Sequence, residues 1–332
     1  MHALALSILP THETWFEESS AGHDWGFFLS PLPLALVVVM VAVTFVWRAA
    51  AARLPNPELA VLARVGRLTP WIPRLLGIHL GVALLALAAT GAFLTPAIDD
   101  LDSVAGKTLL LVEAGLGIWL VTGYRLRPAA ALVLAFGPVL GVVSGPVALL
   151  ECANLAAVAA FLVIVPPGVD RHGAVAPSAD AVRWGLFSMR IGVGIALIAL
   201  AFTEKFTNPV LARMTLHDFP SLNVFDLVGI PMSTDTFIVV AGSVELLFGL
   251  LVISGALPQV AVMVAAVPFN ATLILFGQTE LVGHLPVYGV FLALLAYGSD
   301  PATARLVSWL PSRRTADRVD PASAPAPVEV AV

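Results

Sequence analysis

The stretch SVELLFGLLVISG, residues 243–255, buries one glutamate, Glu245, in an apolar run, and LVEAGLGIWLVTG, residues 111–123, does the same with Glu113 at an offset of 132. A charge at the bilayer centre costs at least ~2.5–3.5 kcal/mol on insertion scales, so such residues are expected to face other helices rather than lipid. The same offset carries Gly145 onto Gly277 without a gap, and 7 of the 44 positions from Val112 to Leu155 are identical, among them the two glutamates. LALAATGAFLTP (85–96) likewise aligns with LIALAFTEKFTNP (197–209), setting Thr-Gly-Ala-Phe against Thr-Glu-Lys-Phe. The pattern predicts two copies of a four-helix unit, a parallel repeat of a kind found in membrane proteins.

Composition agrees. Of the 332 residues 59% are hydrophobic and 12% charged, with a mean hydropathy of +0.94, against roughly 25% charged in an average soluble domain. A helix needs about 20 mostly apolar residues to span the hydrocarbon core. Nine segments meet that need, at roughly 30–52, 74–95, 104–123, 126–144, 147–166, 184–206, 236–255, 258–276 and 279–297. The expected fold is therefore an all-α integral membrane protein with one N-terminal span followed by two four-helix bundles.

Arginine and lysine near span ends mark the cytoplasmic side. With the N-terminus outside, 14 arginines fall in inner segments, and only Lys107, Lys205 and Arg213 fall in outer ones. A multi-pass protein of the cell membrane follows, with its C-terminus in the cytoplasm. The single cysteine, Cys152, excludes an internal disulfide or a CxxC pair, and the first residues lack the positive n-region of a signal peptide.

Five regions are expected: an outer segment 1–29, a first span with an inner interfacial segment 30–73, a degenerate repeat 74–166, a second repeat 184–298 and a polar, disordered tail 299–332. Leu59, Leu62, Val65, Arg64 and Arg67 suggest a short amphipathic helix at the inner headgroups. PPGVDRHGAVAPSAD (166–180) is the best internal boundary. The long segment 207–235 reads as a cover over the outer mouth, since loops of that length are commonly functional lids.

The copies diverge at polar positions. The second has Glu204, Lys205, Asn270, Glu280 and His284 where the first has Gly91, Ala92, Pro138, Ala148 and Cys152. The chemistry is accordingly expected in the second copy. There Glu204 and Lys205 close the outer end of one span, Asn270 sits in the outer half of another, and Glu280 and His284 open the last. Four residues apart on a helix, Glu280 and His284 share a face. Lys205 reads most simply as a snorkelling lysine, and Glu113, by repeating Glu245, argues that part of the pattern serves packing.

In HETWFEESSAGHDWGF (11–27 region) His12 and His23, with nearby carboxylates, are candidate metal ligands, although their spacing fits no template. No Walker motif, dinucleotide fingerprint, HExxH or CxxCH is present, so nucleotide, zincin and c-type haem readings drop out.

FTEKFTNP, HDFPSLNVF, AGSVELLFGLLVISG and GQTELVGHLPVYG together resemble the DoxX-like membrane family, a four-helix unit with polar residues in its third and fourth spans. The match covers 184–298 best, and the HETWF opening is similar to that of long actinobacterial members. The resemblance implies a bacterial inner-membrane role near quinone or thiol metabolism. Thiol-relay relatives need cysteines that this chain lacks. Three readings result. One is a quinone-associated or redox-complex subunit in which Glu245, Glu280 and His284 handle protons and Asn270 orients the ligand. The second is a transporter or metal-handling protein, and the third a scaffold without chemistry. The partners expected are the lipid bilayer and a membrane or extracytoplasmic redox protein, with no nucleic acid.

Overall fold

A computed structural model describes residues 22–54, 59–95, 98, 101–165, 177–227, 229–276 and 278–311; the side chains of 275–280 and 282 lie outside that description. Every regular element among these residues is helical, apart from an isolated bridge between Phe93 and Thr95. The principal helices are α1 (Pro31–Ala51), α2 (Ile72–Thr90), α3 (Val104–Thr122), α4 (Leu126–Ala135), α5 (Gly137–Val143), α6 (Gly145–Glu151) and α7 (Ala153–Ile164). They continue with α8 (Ala179–Leu200), α9 (Pro209–Asp218), α10 (Thr234–Ser254), α11 (Pro258–Phe276) and α12 (Gln278–Ser299).

Local chemistry sets these boundaries. Ser103, Ser178 and Ser233 accept backbone N–H groups at the starts of α3, α8 and α10, filling donors that a helix leaves open. Gly91, Gly123 and Gly255 end α2, α3 and α10 in the left-handed conformation, where glycine carries no Cβ penalty. Gly123 and Gly255 stand 132 residues apart, so the two aligned stretches end in the same cap.

Five helices among the described residues are long and apolar enough to cross a membrane: Pro31–Ala51, Val65–Thr90, Val104–Thr122, Ala179–Phe206 and Thr234–Ser254. A sixth forms if α6 and α7, bent by 60° at Cys152, count as one span. The chain is therefore a multi-pass, all-helical membrane protein.

The two sets of four helices share one contact. In the first, Gly81 and Gly117 bring α2 and α3 so close that a Cβ on either would stand 2.6 or 2.8 Å from the other's carbonyl oxygen. In the second, Gly194 and Gly249 do the same for α8 and α10, at 2.8 and 2.9 Å. Lipid supplies no hydrophobic drive between helices, so close backbone approach through small residues is how such pairs associate.

The two sets are tightly joined. α7, the last helix of the first set, lies along α8, and α12, the last helix of the second, lies along α2. Each unit's fourth helix thus packs on the first helix of the other. It also meets the first helix of its own unit, α7 touching α2 and α12 touching α8. α1 packs on α10, with Trp47 Nε1 donating to Ala256 O at 2.8 Å and Arg48 Nη1 to Ser254 O at 2.5 Å.

Two of three peripheral segments differ from expectation. Residues 60–71 form two 3₁₀ stretches over the end of α12, with Gly66 against the backbone of Ser299, in place of an amphipathic α-helix. In the expected cover, α9 packs on α10 with Leu211, Ala212 and Thr215 buried. The tail is ordered as far as it is described. Fully buried Arg190 donates to the carbonyls of Val307, Ile253 and Trp309, and Trp309 stacks edge-on against Trp184 at 4.9 Å. Residues 312–332 lie outside the described residues.

Candidate functional site at the junction of the two units

α8 does not stop where α2 stops. Where Gly91 ends α2, α8 runs on as a π-helical turn, Ala201–Phe206. Such turns are rare and occur often at functional sites. This one presents Thr203, Glu204 and Lys205 in succession.

Glu204 is fully buried and Lys205 nearly so. The Lys205 ammonium stands 3.3 Å from Glu204 Oε2 and 3.1 Å from Glu245 Oε2. The second contact is ionic and not aligned as a hydrogen bond. Lys205 is thus turned inward between two carboxylates, which corrects its reading as a snorkelling lysine. Burying one carboxylate alone is costly, and the shared ammonium offsets part of that cost.

Glu245 lines a partly open cavity of about 90 Å³ between the units. The second unit also contributes His284 and Pro286 from α12 and Phe269 from α11. The His284 ring meets Phe269 edge to face with centroids 4.7 Å apart, and Tyr288 O–H donates to Phe269 O at 3.1 Å, so aromatic packing fixes the imidazole's place.

The first unit supplies the remaining polar wall: Thr95, Glu151, Cys152 and Asn154. Glu151 ends α6 at the 60° break, and Thr203 Oγ1 of the π turn donates to its Oε1 at 2.7 Å. Sequence reasoning confined the chemistry to the second copy and passed over Glu151. The signal was available, since Glu151 is an ionisable residue inside the apolar run of 147–166.

Of the residues singled out in the sequence, Glu245, His284, Lys205 and Glu204 belong to this cavity or to the turn beside it. Asn270 does not. It is exposed on α11, and its Nδ2 donates to Ala266 O at 2.7 Å, one turn back, so the amide is satisfied by its own helix. Glu280 lies in the first turn of α12, with its side chain outside the described residues.

His12 also lies outside the described residues. His23 Nδ1 pairs with Thr207 Oγ1 at 2.8 Å, tying the chain before α1 to the end of the π turn. Among the described residues no group of three or more His, Cys, Asp and Glu gathers in a metal-holding arrangement.

Glu113 occupies the position of Glu245 in the first unit but faces different surroundings. It is fully buried, and its Oε1 accepts the Leu94 N–H at 3.0 Å. Its Oε2 has no hydrogen-bond partner among the described residues.

Most of the cavity wall is apolar, with Leu87, Leu197 and Phe269 among its residues, and the ionisable groups form a polar patch on it. With carboxylates on both sides and an imidazole on a third, such a space can pass protons. It is smaller than the ~150 Å³ cavity that takes up benzene. No protein-family model matches the chain, and no match is found among the curated proteins or the solved structures.

Proposed function

We propose that the chain is a nine-span, DoxX-like membrane protein whose central cavity handles protons for a quinone-linked redox complex. Its nine spans are the five long helices, the bent pair α6–α7 and the shorter apolar helices Leu126–Val142, Pro258–Ile274 and Gly283–Ser299. Seventeen residues, the lower limit for a span, cover ~25 Å. Arg48 and Arg190 both reach carbonyls at the C-terminal end of α10, while the Arg213–Asp235 pair lies at its other end. That distribution supports an outer N-terminus and a cytoplasmic C-terminus. The recurrent glycine crossing supports duplication.

The observation that carries the reading is the convergence of Glu245 and His284 on one small cavity, with Lys205 holding Glu245 to Glu204. An imidazole with an unperturbed pKa near 6.5 changes charge in the physiological range. Beside a carboxylate it is suited to relaying protons released by quinol oxidation. The quinone ring, too large for the cavity, is engaged outside it by the partner subunit.

A second reading, a proton-coupled transporter or metal-handling protein, is favoured by where the cavity lies. It sits between two related units, beside a broken helix and a π turn, the setting in which secondary transporters bind substrate.

The test is purification of the full chain in mild detergent, with mass spectrometry of bound ligands and partners. A retained quinone or redox protein supports the first reading, and bound copper, zinc or a small solute supports the second. A tight partner without redox chemistry, with neither ligand, would leave a scaffold and overturn both.

A further inference from the structure

The π turn touches the cavity's two carboxylates by separate contacts. Thr203 donates to Glu151 at 2.7 Å, and Lys205, two residues on, stands 3.1 Å from Glu245. Glu151 and Glu245 come from different units, yet both line the same cavity with His284. We infer that Glu151 is the second proton-bearing carboxylate of this site, and that it exchanges a proton with Glu245 across the cavity, through water and the His284 imidazole. This inference rests on the proton-handling reading and adds to it a residue of the first unit, so that the site is complete only when both units are present.

The charges around Glu151 can be set out element by element. On its own broken helix the neighbour is Cys152. The π turn of α8 brings Glu204 and Lys205, α10 brings Glu245 and α12 brings His284. Fully buried Glu113 on α3 reaches the Leu94 turn, whose Leu94 and Thr95 also line the cavity. Glu204 and Glu245 thus face one ammonium, and Glu151 is tied to the same turn through Thr203. Carboxylates that interact at such close quarters titrate as a coupled set.

Glu204 is fully buried and held by Lys205, whereas Glu151 and Glu245 both line the cavity. In the transfer one O–H bond breaks at the donor carboxyl and one forms at the acceptor, and no other reactant is consumed. Thr203 is a positioning residue: its hydroxyl donates to Glu151 and holds that carboxylate at the cavity wall.

Infrared difference spectroscopy on the full chain in lipid, titrated between acid and alkaline buffer, reads the protonated carboxyl bands directly. Glu113→Gln serves as the background, because it removes a buried carboxyl that does not line the cavity. In that background Glu151→Gln should abolish one titrating band and move the midpoint of the remaining one by about one pH unit, as expected of strongly coupled sites. Glu245→Gln should do the reciprocal, and Thr203→Val should move the midpoint of the Glu151 band.

A Glu151→Gln chain that loses no band and leaves the other midpoint in place overturns the inference. If that variant does not fold, Thr203→Val decides, and an unmoved Glu151 midpoint overturns the inference equally. The proton-handling reading fails separately, if Glu245→Gln and His284→Ala both retain activity. If those two variants are inactive while Glu151→Gln is wild-type in spectrum and activity, only the present inference falls.

Discussion

Glu113 and Glu245 occupy the same place in two helices that align at an offset of 132, each one turn before a glycine that meets its partner helix backbone to backbone. Their surroundings nevertheless differ. Glu113 is sealed from solvent and accepts one backbone N–H. Glu245 reaches a cavity and a lysine. The cause lies on the neighbouring helix, where Gly91-Ala92 of the first unit becomes Glu204-Lys205 in the second. The π turn with its Glu204 and Lys205 thus sets Glu245 beside a charged group where Glu113 has only packing and a backbone N–H.

The largest expected effect tests this contrast directly. In quinol-linked activity of membranes carrying the chain as sole copy, Glu245→Gln and His284→Ala should each lower the rate by about 10²-fold or more, as for loss of a group that moves protons. Glu113→Gln should stay within about twofold, with normal insertion. An equal loss in Glu113→Gln would break the contrast and make the two units chemically alike.

Next is the ion pair. Lys205→Met removes the ammonium between Glu204 and Glu245, and stranding a buried charge is costly, on the order of 3 kcal/mol. Thermal unfolding in detergent should show a clear loss, and a second change, Glu204→Gln, should restore part of it. Unchanged stability in Lys205→Met would mean that neither carboxylate depends on the lysine.

Most of the helix boundaries were legible in the sequence, because glycine caps, serine caps and prolines punctuate the apolar runs. The span expected at 258–276 is α11 itself, and 104–123 differs from α3 by one residue. Helix pairing was not legible. Runs apolar on every side have no face that names its neighbour, so the packing of α7 on α8 and of α12 on α2 left no mark in the pattern. Glu151 was passed over for another reason: aligned with Gly283, it has no counterpart in the other copy, and attention stayed on the second one. It becomes a site residue only through its contact with Thr203.

A smaller effect tests what the units share. Gly117→Ala and Gly249→Ala each place a Cβ within 3.0 Å of a carbonyl oxygen on the facing helix. Overpacking of this kind costs about 1–3 kcal/mol, and the two variants should lose similar stability in the same thermal assay. A loss confined to one of them would show that the crossings are not equivalent, and would weaken the case for duplication.

The smallest expected effect concerns Asn270, which the sequence placed among the site residues. An amide in the outer half of a span suggests a ligand-orienting group, but here its Nδ2 bonds to Ala266 O and the side chain lies on the exposed face of α11. The first unit has Pro138 at the aligned position, so that unit requires no amide there. Asn270→Leu exchanges a back-bonded amide for an apolar group that lipid accommodates. Stability should move by no more than about 0.5 kcal/mol, the range for surface changes remote from special features, and activity should match wild type. A drop comparable to that of His284→Ala would return Asn270 to the site. The face of α11 that carries it would then have to be where the quinone or a partner subunit docks.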